Sequence, residues 1–256
     1  MGKTEITMEE LPVLFESVAS VFAKEKDHLC EMDAQMGDGD LGLTMNKGYG
    51  ALPDLIRANM APDDIGKTLM KAGMKMAGLV PSTMGTLMAS GIMAGGKAIA
   101  GKSVIGPAEM ADFISNFADG LAKRGKCQAG DRTIYDALLP AGESAQEAAQ
   151  KGAGLADVVN AALEGAKKGV ENTKEMVPKF GKAAVFAAKA KGTTGGKLLK
   201  RHILKNTLLP IITLLGMNLA SIVCGSFIIE SVFGWPGIGT LAMTAIGVRD
   251  YPVIMA

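Results

Sequence analysis

Residues 32–42 read Met-Asp-Ala-Gln-Met-Gly-Asp-Gly-Asp-Leu-Gly, which places Asp33, Asp38 and Asp40 in one glycine-broken loop. Three carboxylates this close together repel one another unless a cation neutralises them. Mg²⁺ takes oxygen ligands and usually binds a few carboxylates together with substrate phosphates, and glycines permit sharp turns and the close approach of a ligand. The loop predicts a Mg²⁺–phosphate site, with a solvated Gly-Asp turn as the alternative.

Apolar residues on both sides of the loop recur at helical spacing through residues 1–190, and no run alternates as a strand would. Glycines, prolines and Asp or Ser caps separate these runs. The pattern predicts a soluble, all-α domain. Methionines are expected to fill its core, since flexible thioethers suit irregular packing. The set comprises Met70, Met74, Met84, Met88 and Met93.

Charge is distributed unevenly along the chain. Residues 1–190 hold 21 Lys+Arg and 24 Asp+Glu, whereas residues 191–256 hold 6 and 2, which indicates two different environments. The net charge of +1 gives no indication of nucleic-acid binding. An odd number of cysteines without metal-like spacing fits a reducing cytosol. Because the N-terminus lacks an apolar signal core, residues 1–190 are predicted to be cytoplasmic.

Residues 206–229 contain no charged side chain and exceed the ~20 apolar residues that span a bilayer. Basic residues precede this run: Lys191, Lys197, Lys200, Arg201 and Lys205. By the positive-inside rule they stay in the cytoplasm. The segment predicts one transmembrane helix with inner-membrane association, followed by a short irregular or helical tail. A buried helix in a soluble core is the alternative.

Two further motifs follow the aspartate loop. Residues 81–86 read Pro-Ser-Thr-Met-Gly-Thr and open a helical stretch whose backbone N–H groups can face a phosphate. Residues 124–136 read Arg-Gly-Lys-Cys-Gln-Ala-Gly-Asp-Arg-Thr-Ile-Tyr-Asp, in which Asp131 is a candidate N-cap. In this order the three motifs resemble the L subunit of bacterial dihydroxyacetone kinases, over roughly residues 5–190.

The resemblance implies an eight-helix antiparallel barrel that binds ADP or ATP at one end through two Mg²⁺ ions, with Asp33, Asp38 and Asp40 as metal ligands. The nucleotide contacts that it implies are Leu41, Gly42, Leu43, Thr44, Thr83, Met84, Gly125, Ile134 and Lys182. It implies no catalytic side chain. Metal-assisted transfer passes the phosphoryl group to dihydroxyacetone on a separate K subunit, and in one branch a phosphotransferase-system phosphocarrier recharges the ADP.

The sequence departs from this family at several positions. A family histidine is Leu41 here, a family asparagine is Thr44, and a family arginine is Lys182, which loses bidentate geometry. The family's closing Asp-x-Gly loop is replaced by Lys-Gly-Thr-Thr-Gly-Gly at residues 191–196, and the last barrel helix is missing. The expected fold is therefore an eight-helix-type antiparallel barrel without its last helix, which exposes a hydrophobic seam.

Residues 230–239 read Glu-Ser-Val-Phe-Gly-Trp-Pro-Gly-Ile-Gly. Together with Arg-Asp-Tyr-Pro at residues 249–252, this run resembles the di- and oligopeptide ABC-transporter permeases. The resemblance implies that residues 191–256 form a late permease fragment without the earlier and final membrane helices. Three hypotheses stay open: a kinase subunit built on residues 1–190, a membrane component of a peptide transporter, and a non-functional chimera of the two.

Overall fold

The computed structural model describes residues 3–181, 183–184, 233 and 237–255. Its contacts divide the chain into two compact units, residues 1–187 and 188–256. Within the described part, the first unit is built from α-helices, as predicted. They are α1 Leu11–Ala34, α2 Leu41–Ala58, α3 Ile65–Leu79, α4 Thr83–Ala98, α5 Pro107–Gly125, α6 Tyr135–Gln150 and α7 Leu155–Asn172.

Each helix of the first unit packs against the next one along the chain, from α1 on α2 to α6 on α7. The connections are short, so consecutive helices are antiparallel neighbours. Alternate connections then lie at the same end of the bundle. The α1–α2, α3–α4 and α5–α6 connections share one end, and they are the three segments that carry the sequence motifs.

The interior is filled by large apolar side chains from successive helices. Leu52 and Ile56 of α2, Leu69 of α3 and Ile92 of α4 are almost fully buried. Of the methionines assigned to the core, Met88 is buried.

The expectation for Met74 is wrong, because its side chain is 67% exposed. Met74 lies on α3 between the buried residues Ala72 and Met76. Two residues are about half a helical turn, so its side chain is on the outer face of the helix.

A short antiparallel pair of strands ties the N-terminus to the α4–α5 connection. β1 (Ile6–Thr7) pairs with β2 (Val104–Ile105), and Ile6 lies opposite Ile105. Both isoleucines are buried. Two residues are too few to show alternation, which is why the sequence pattern gave no sign of these strands.

The outer face of α7 carries exposed apolar residues at helical spacing. Val159, Leu163 and Val170 are 43%, 51% and 54% exposed. In the described ranges, α1 and α7 share no packing comparable to that of consecutive helices. The bundle therefore leaves an apolar stripe on its last described long helix uncovered by α1.

The second unit contains α8 (Ile238–Val248) and α9 (Tyr251–Met255) among its described residues. The predicted transmembrane helix at residues 206–229 lies outside the described residues. Across the ranges that the structure does describe, no helix combines the length and apolar character needed to cross a bilayer.

Candidate functional site

The aspartate loop connects α1 to α2. Asp33 lies in the last turn of α1, Asp38 in the loop, and Asp40 directly before α2. One carboxylate oxygen from each residue lies within 4.8 Å of the others. Asp33 Oδ2 accepts hydrogen bonds from the backbone N–H groups of Gly39 (2.9 Å) and Asp40 (3.2 Å). Asp33 therefore folds the loop back on α1, which brings the three carboxylates together.

Two glycines make this loop geometry attainable. Gly39 has a φ of +78°, in the left-handed region that favours glycine. A Cβ on Gly42 would lie 1.8 Å from the carbonyl oxygen of Lys26 in α1. Gly42 is buried and lets the start of α2 lie directly on α1. Gly42 therefore contacts α1, and this contact fixes the distance between the two ends of the loop.

The aspartates line a cavity of about 380 Å³, here called the aspartate cavity, together with Leu41, Thr44 and residues 81–84. The N-termini of α2 and α4 meet at its wall. Ser82 caps α4, with its Oγ accepting from the backbone N–H of Gly85 at 3.0 Å. Helix N-termini carry partial positive charge and attract anions. Carboxylates facing two such termini suit a cation and an anion bound together, as in a metal-bound phosphate.

A larger cavity of about 880 Å³, here called the apolar cavity, adjoins it. The two cavities share residues 81–84 as lining. Gly125 and Ile134, predicted from the third motif, line the apolar cavity with Leu87 and Leu121. A mostly apolar concavity of this size accommodates a small organic ligand. It opens beside the charged site, so one ligand with an anionic end and an apolar end can occupy both.

Asp131 does not cap the helix that follows it, which corrects the sequence interpretation. The N-cap of α6 is Ile134, three residues later. The Asp131 side chain instead accepts from the backbone N–H of Gln128 (2.8 Å) and pairs with the ammonium group of Lys179. These contacts, the Lys179 hydrogen bond first, lower the pKa of the Asp131 carboxyl below its ordinary value.

Asp136 organises the same connection, a role that the sequence motif did not indicate. Its carboxylate accepts from the backbone N–H groups of Gly130 (2.5 Å) and Thr133 (2.7 Å). It is buried in the first turn of α6. An aspartate three residues after a threonine at a helix start was the available signal. This carboxylate holds the loop that presents Ile134 to the apolar cavity.

The predicted nucleotide contacts fall into three groups. Leu41, Thr44, Thr83 and Met84 line the aspartate cavity, and Thr83, Met84, Gly125 and Ile134 line the apolar cavity. Among the described residues, Gly42 and Leu43 are not in either lining, and Leu43 is exposed. Lys182 lies outside the described residues.

Phe180 also lines the apolar cavity, although none of the three sequence motifs includes it. The sequence feature that could have indicated Phe180 is an aromatic residue within a polar segment.

Fold and site together define the class of this molecule: an antiparallel helical domain with a candidate metal–phosphate site and an adjoining apolar cavity at one end. The profile described as "DAK2 domain" matches residues 35–195, well over half of the chain. The chain belongs to the DAK2 domain family.

Relatives of known name agree with this assignment. The ADP-binding subunit DhaL of the PEP-dependent dihydroxyacetone kinase of Escherichia coli (strain K12) is 27% identical over 172 residues, 67% of this chain and 81% of that protein. The ADP-binding subunit DhaL of the PEP-dependent dihydroxyacetone kinase 2 of Listeria innocua is 29% identical over 180 residues, 70% of this chain and 83% of that protein. The resemblance to kinase L subunits is confirmed.

A solved structure shows the same fold. The dihydroxyacetone kinase from C. freundii, in complex with AMP-PNP and Mg²⁺, matches with a TM-score of 0.52 at 24% identity. The match covers 71% of this chain and 33% of that chain. The matched part of the present chain therefore corresponds to about a third of that kinase chain.

The C-terminal resemblance is also confirmed, for a short piece. The profile described as "Binding-protein-dependent transport system inner membrane component" matches residues 165–256. The dipeptide transport system permease protein DppB of Bacillus subtilis (strain 168) is 49% identical over 71 residues, 28% of this chain. The match covers only 23% of that permease. The two profile matches overlap at residues 165–195.

Proposed function

We propose that this chain is the nucleotide-binding subunit of a dihydroxyacetone kinase. It holds ADP or ATP with Mg²⁺ and supports transfer of a phosphoryl group to dihydroxyacetone on a separate K subunit. A phosphotransferase-system phosphocarrier is the proposed source of phosphate when ADP stays bound. The observation that carries the proposal is the meeting of three carboxylates and two helix N-termini in one cavity beside an apolar cavity.

The donor set fits Mg²⁺. Asp33, Asp38 and Asp40 offer carboxylate oxygens within 4.8 Å of one another, and hard divalent cations prefer oxygen ligands. We propose that these carboxylates would hold two Mg²⁺ ions. Bound Mg²⁺ neutralises the charge of the phosphoryl group being transferred. Asp33 also keeps the loop folded, through its bonds to the backbone of Gly39 and Asp40.

The remaining residues position the nucleotide. Backbone N–H groups at the starts of α2 and α4 face the phosphates, which assigns Leu41–Leu43 and Thr83 to this end of the ligand. The backbone N–H of Thr44 already donates to the carbonyl oxygen of Asp40, and Thr44 takes part as lining of the aspartate cavity. Met84, Gly125 and Ile134 enclose the nucleoside in the apolar cavity. Lys182 supplies a positive charge to the phosphates in this proposal. The protein acts by positioning and charge neutralisation, without a covalent phosphoryl carrier.

Calorimetric titration of Mg²⁺–ADP into the full chain in mild detergent tests the proposal. Asp38→Asn removes one ligand charge and is expected to weaken binding by at least about tenfold. Asp157→Asn, which changes an exposed aspartate in the first turn of α7, is the charge-matched control and leaves the affinity unchanged. Full affinity in Asp38→Asn, or no binding by the wild type, contradicts the proposal.

Transfer itself is tested by adding a dihydroxyacetone-binding K subunit and dihydroxyacetone. Formation of dihydroxyacetone phosphate is expected to require both Mg²⁺ and Asp38. If the wild type binds nucleotide but gives no product with ATP or with a recharging phosphocarrier, nucleotide binding stands and the transfer step is refuted.

A second function is favoured by the 49% identity of the C-terminal piece to a dipeptide permease. We propose that residues 191–256 attach the chain to the inner membrane through residues 206–229. A non-functional chimera of two partial genes competes with this proposal. Long sequencing reads over the codons for residues 165–195 test the chimera, since reads that never span the junction would support it.

A further inference from the structure

The segment that follows α7 returns to the α5–α6 connection and is fastened there. The backbone N–H of Lys179 donates to the carbonyl oxygen of Asp131 at 3.1 Å. The Lys179 ammonium group pairs with the Asp131 carboxylate. The Arg132 guanidinium donates to the carbonyl oxygen of Met176 at 3.0 Å. These three contacts, here called the latch, hold residues 176–180 against the loop that precedes α6.

The latch is anchored at a buried carboxylate, that of Asp131. Asp131 is only 4% exposed, and its second carboxylate contact is the backbone N–H of Gln128. Arg132 has a φ of +56°, a conformation that non-glycine residues adopt rarely and that surrounding contacts must stabilise. Because the Asp131 acceptor is buried and the Arg132 backbone is constrained, residues 176–180 are attached at one fixed position. The position of the residue after Lys179 is therefore determined by the latch.

That residue is Phe180, whose side chain lies at the junction of two cavities. It lines the apolar cavity together with Thr83. It also lines a neighbouring cavity of about 550 Å³ with Asp33 and Asp38. Phe180 is 45% exposed, so it has apolar area to lose when a ligand binds. Its place is between the apolar cavity and the aspartate loop.

We propose that Phe180 packs against the nucleoside of the bound nucleotide, and that Asp131 and Lys179 are positioning residues that hold it there. The inference rests on the proposed nucleotide-binding function and adds a contact to that site. Phe180 contacts the ligand in this arrangement, whereas Asp131 and Lys179 act only through it. Aromatic packing on a sugar or base needs no hydrogen-bond match, which suits a ring at an open cavity wall.

Titration of the full chain in mild detergent with two ligands tests the contact. Mg²⁺–ADP carries the nucleoside, and Mg²⁺–pyrophosphate lacks it. Phe180→Ala is expected to weaken ADP binding about tenfold and to leave pyrophosphate binding unchanged. Phe180→Tyr keeps the ring and restores ADP affinity. A merely structural role would change the affinities for both ligands together.

Lys179→Met tests the latch, because it removes the ammonium group but keeps the aliphatic stem. ADP binding is expected to weaken about threefold, again without an effect on pyrophosphate. Lys174→Met is the matched control, since it breaks the exposed Lys174–Glu171 pair in the same part of the chain. It is expected to leave both affinities unchanged.

Each remaining outcome overturns a stated part of the proposal. Equal ADP affinity in Phe180→Ala and the wild type removes the contact and leaves the proposed function intact. Parallel losses of ADP and pyrophosphate binding assign the segment to the fold alone. A loss in Phe180→Ala without one in Lys179→Met refutes the Lys179–Asp131 ion pair as the positioning device. A wild type that binds neither ligand overturns the proposed function and this contact with it.

Discussion

At the scale of single residues, Gly42 shows how the aspartate loop depends on close helix packing. A Cβ there would meet the Lys26 carbonyl oxygen at 1.8 Å and the sulfur of Cys30 at 2.9 Å. Gly42→Ala is therefore expected to push α2 away from α1 and to lower the free energy of unfolding by about 1–3 kcal/mol. Urea denaturation monitored by circular dichroism measures this change.

Gly50 provides the matched comparison on the same helix. A Cβ at Gly50 would have no heavy atom within 4 Å, so Gly50→Ala is expected to raise stability by roughly 0.5–1 kcal/mol through helix propensity. If the two alanine variants have the same stability, the close contact at Gly42 does not constrain the loop.

Residue identity predicted the proximity of the three carboxylates better than it predicted the role of each side chain. Asp33, Asp38 and Asp40 are brought together, as expected from their shared loop. Asp131, by contrast, was interpreted as a helix cap and instead anchors Lys179, which is 48 positions away in the sequence. Local spacing does not contain such a partner, because tertiary packing selects it.

At the scale of single elements, α3 depends on its N-cap, Asp64. Asp64 Oδ1 accepts from the backbone N–H of Lys67 at 2.8 Å, and Oδ2 lies 3.0 Å from the Lys67 ammonium group. The backbone hydrogen bond is the main cause that lowers the pKa of this buried carboxyl. A lowered pKa in the folded state means that the carboxylate stabilises the protein above its unfolded pKa of about 3.9.

Asp64→Ala is expected to cost about 1 kcal/mol at neutral pH, because it removes the cap. As pH falls through the pKa of the folded state, the carboxylate stops stabilising the wild type. The difference in the free energy of unfolding between the wild type and Asp64→Ala then narrows. Asp64→Asn keeps an acceptor without charge, so its difference from the wild type should vanish in acid. Urea denaturation at a series of pH values measures these gaps. A gap to Asp64→Ala that stays constant from pH 7 to pH 3 would contradict the linkage.

The helices were easier to predict than their exact surroundings. Repeated apolar spacing and caps such as Ser82 indicate α4 directly. The orientation of Met74 and the pairing of Ile6 with Ile105 were not available from the same pattern. Both depend on which helix or strand lies opposite, and a helical period fixes only the relative angle of side chains on one element.

At the scale of the whole molecule, antiparallel succession explains why three separate motifs form one site. They occupy alternate connections, and alternate connections of an up-and-down bundle share an end. This much follows from the order of elements in the sequence. The cavities do not, because their walls also include Phe180, which reaches the site through the latch rather than through a motif. Two unrelated family matches in one chain were visible from sequence alone.

The apolar run at residues 206–229 gives the last prediction, on the partition of the whole chain between membrane and water. If the run spans the bilayer, the full chain should float with liposomes and resist alkaline extraction. Lysine at the centre of a membrane helix costs roughly 2.5–3.5 kcal/mol per residue. The double variant Leu215→Lys, Leu219→Lys is therefore expected to release the chain into the soluble fraction.

The control is the double variant Val159→Lys, Leu163→Lys, which adds the same charge to the exposed face of α7 and should stay with the liposomes. Release of both variants would show that charge alone governs partition, and flotation of both would place the attachment outside residues 206–229.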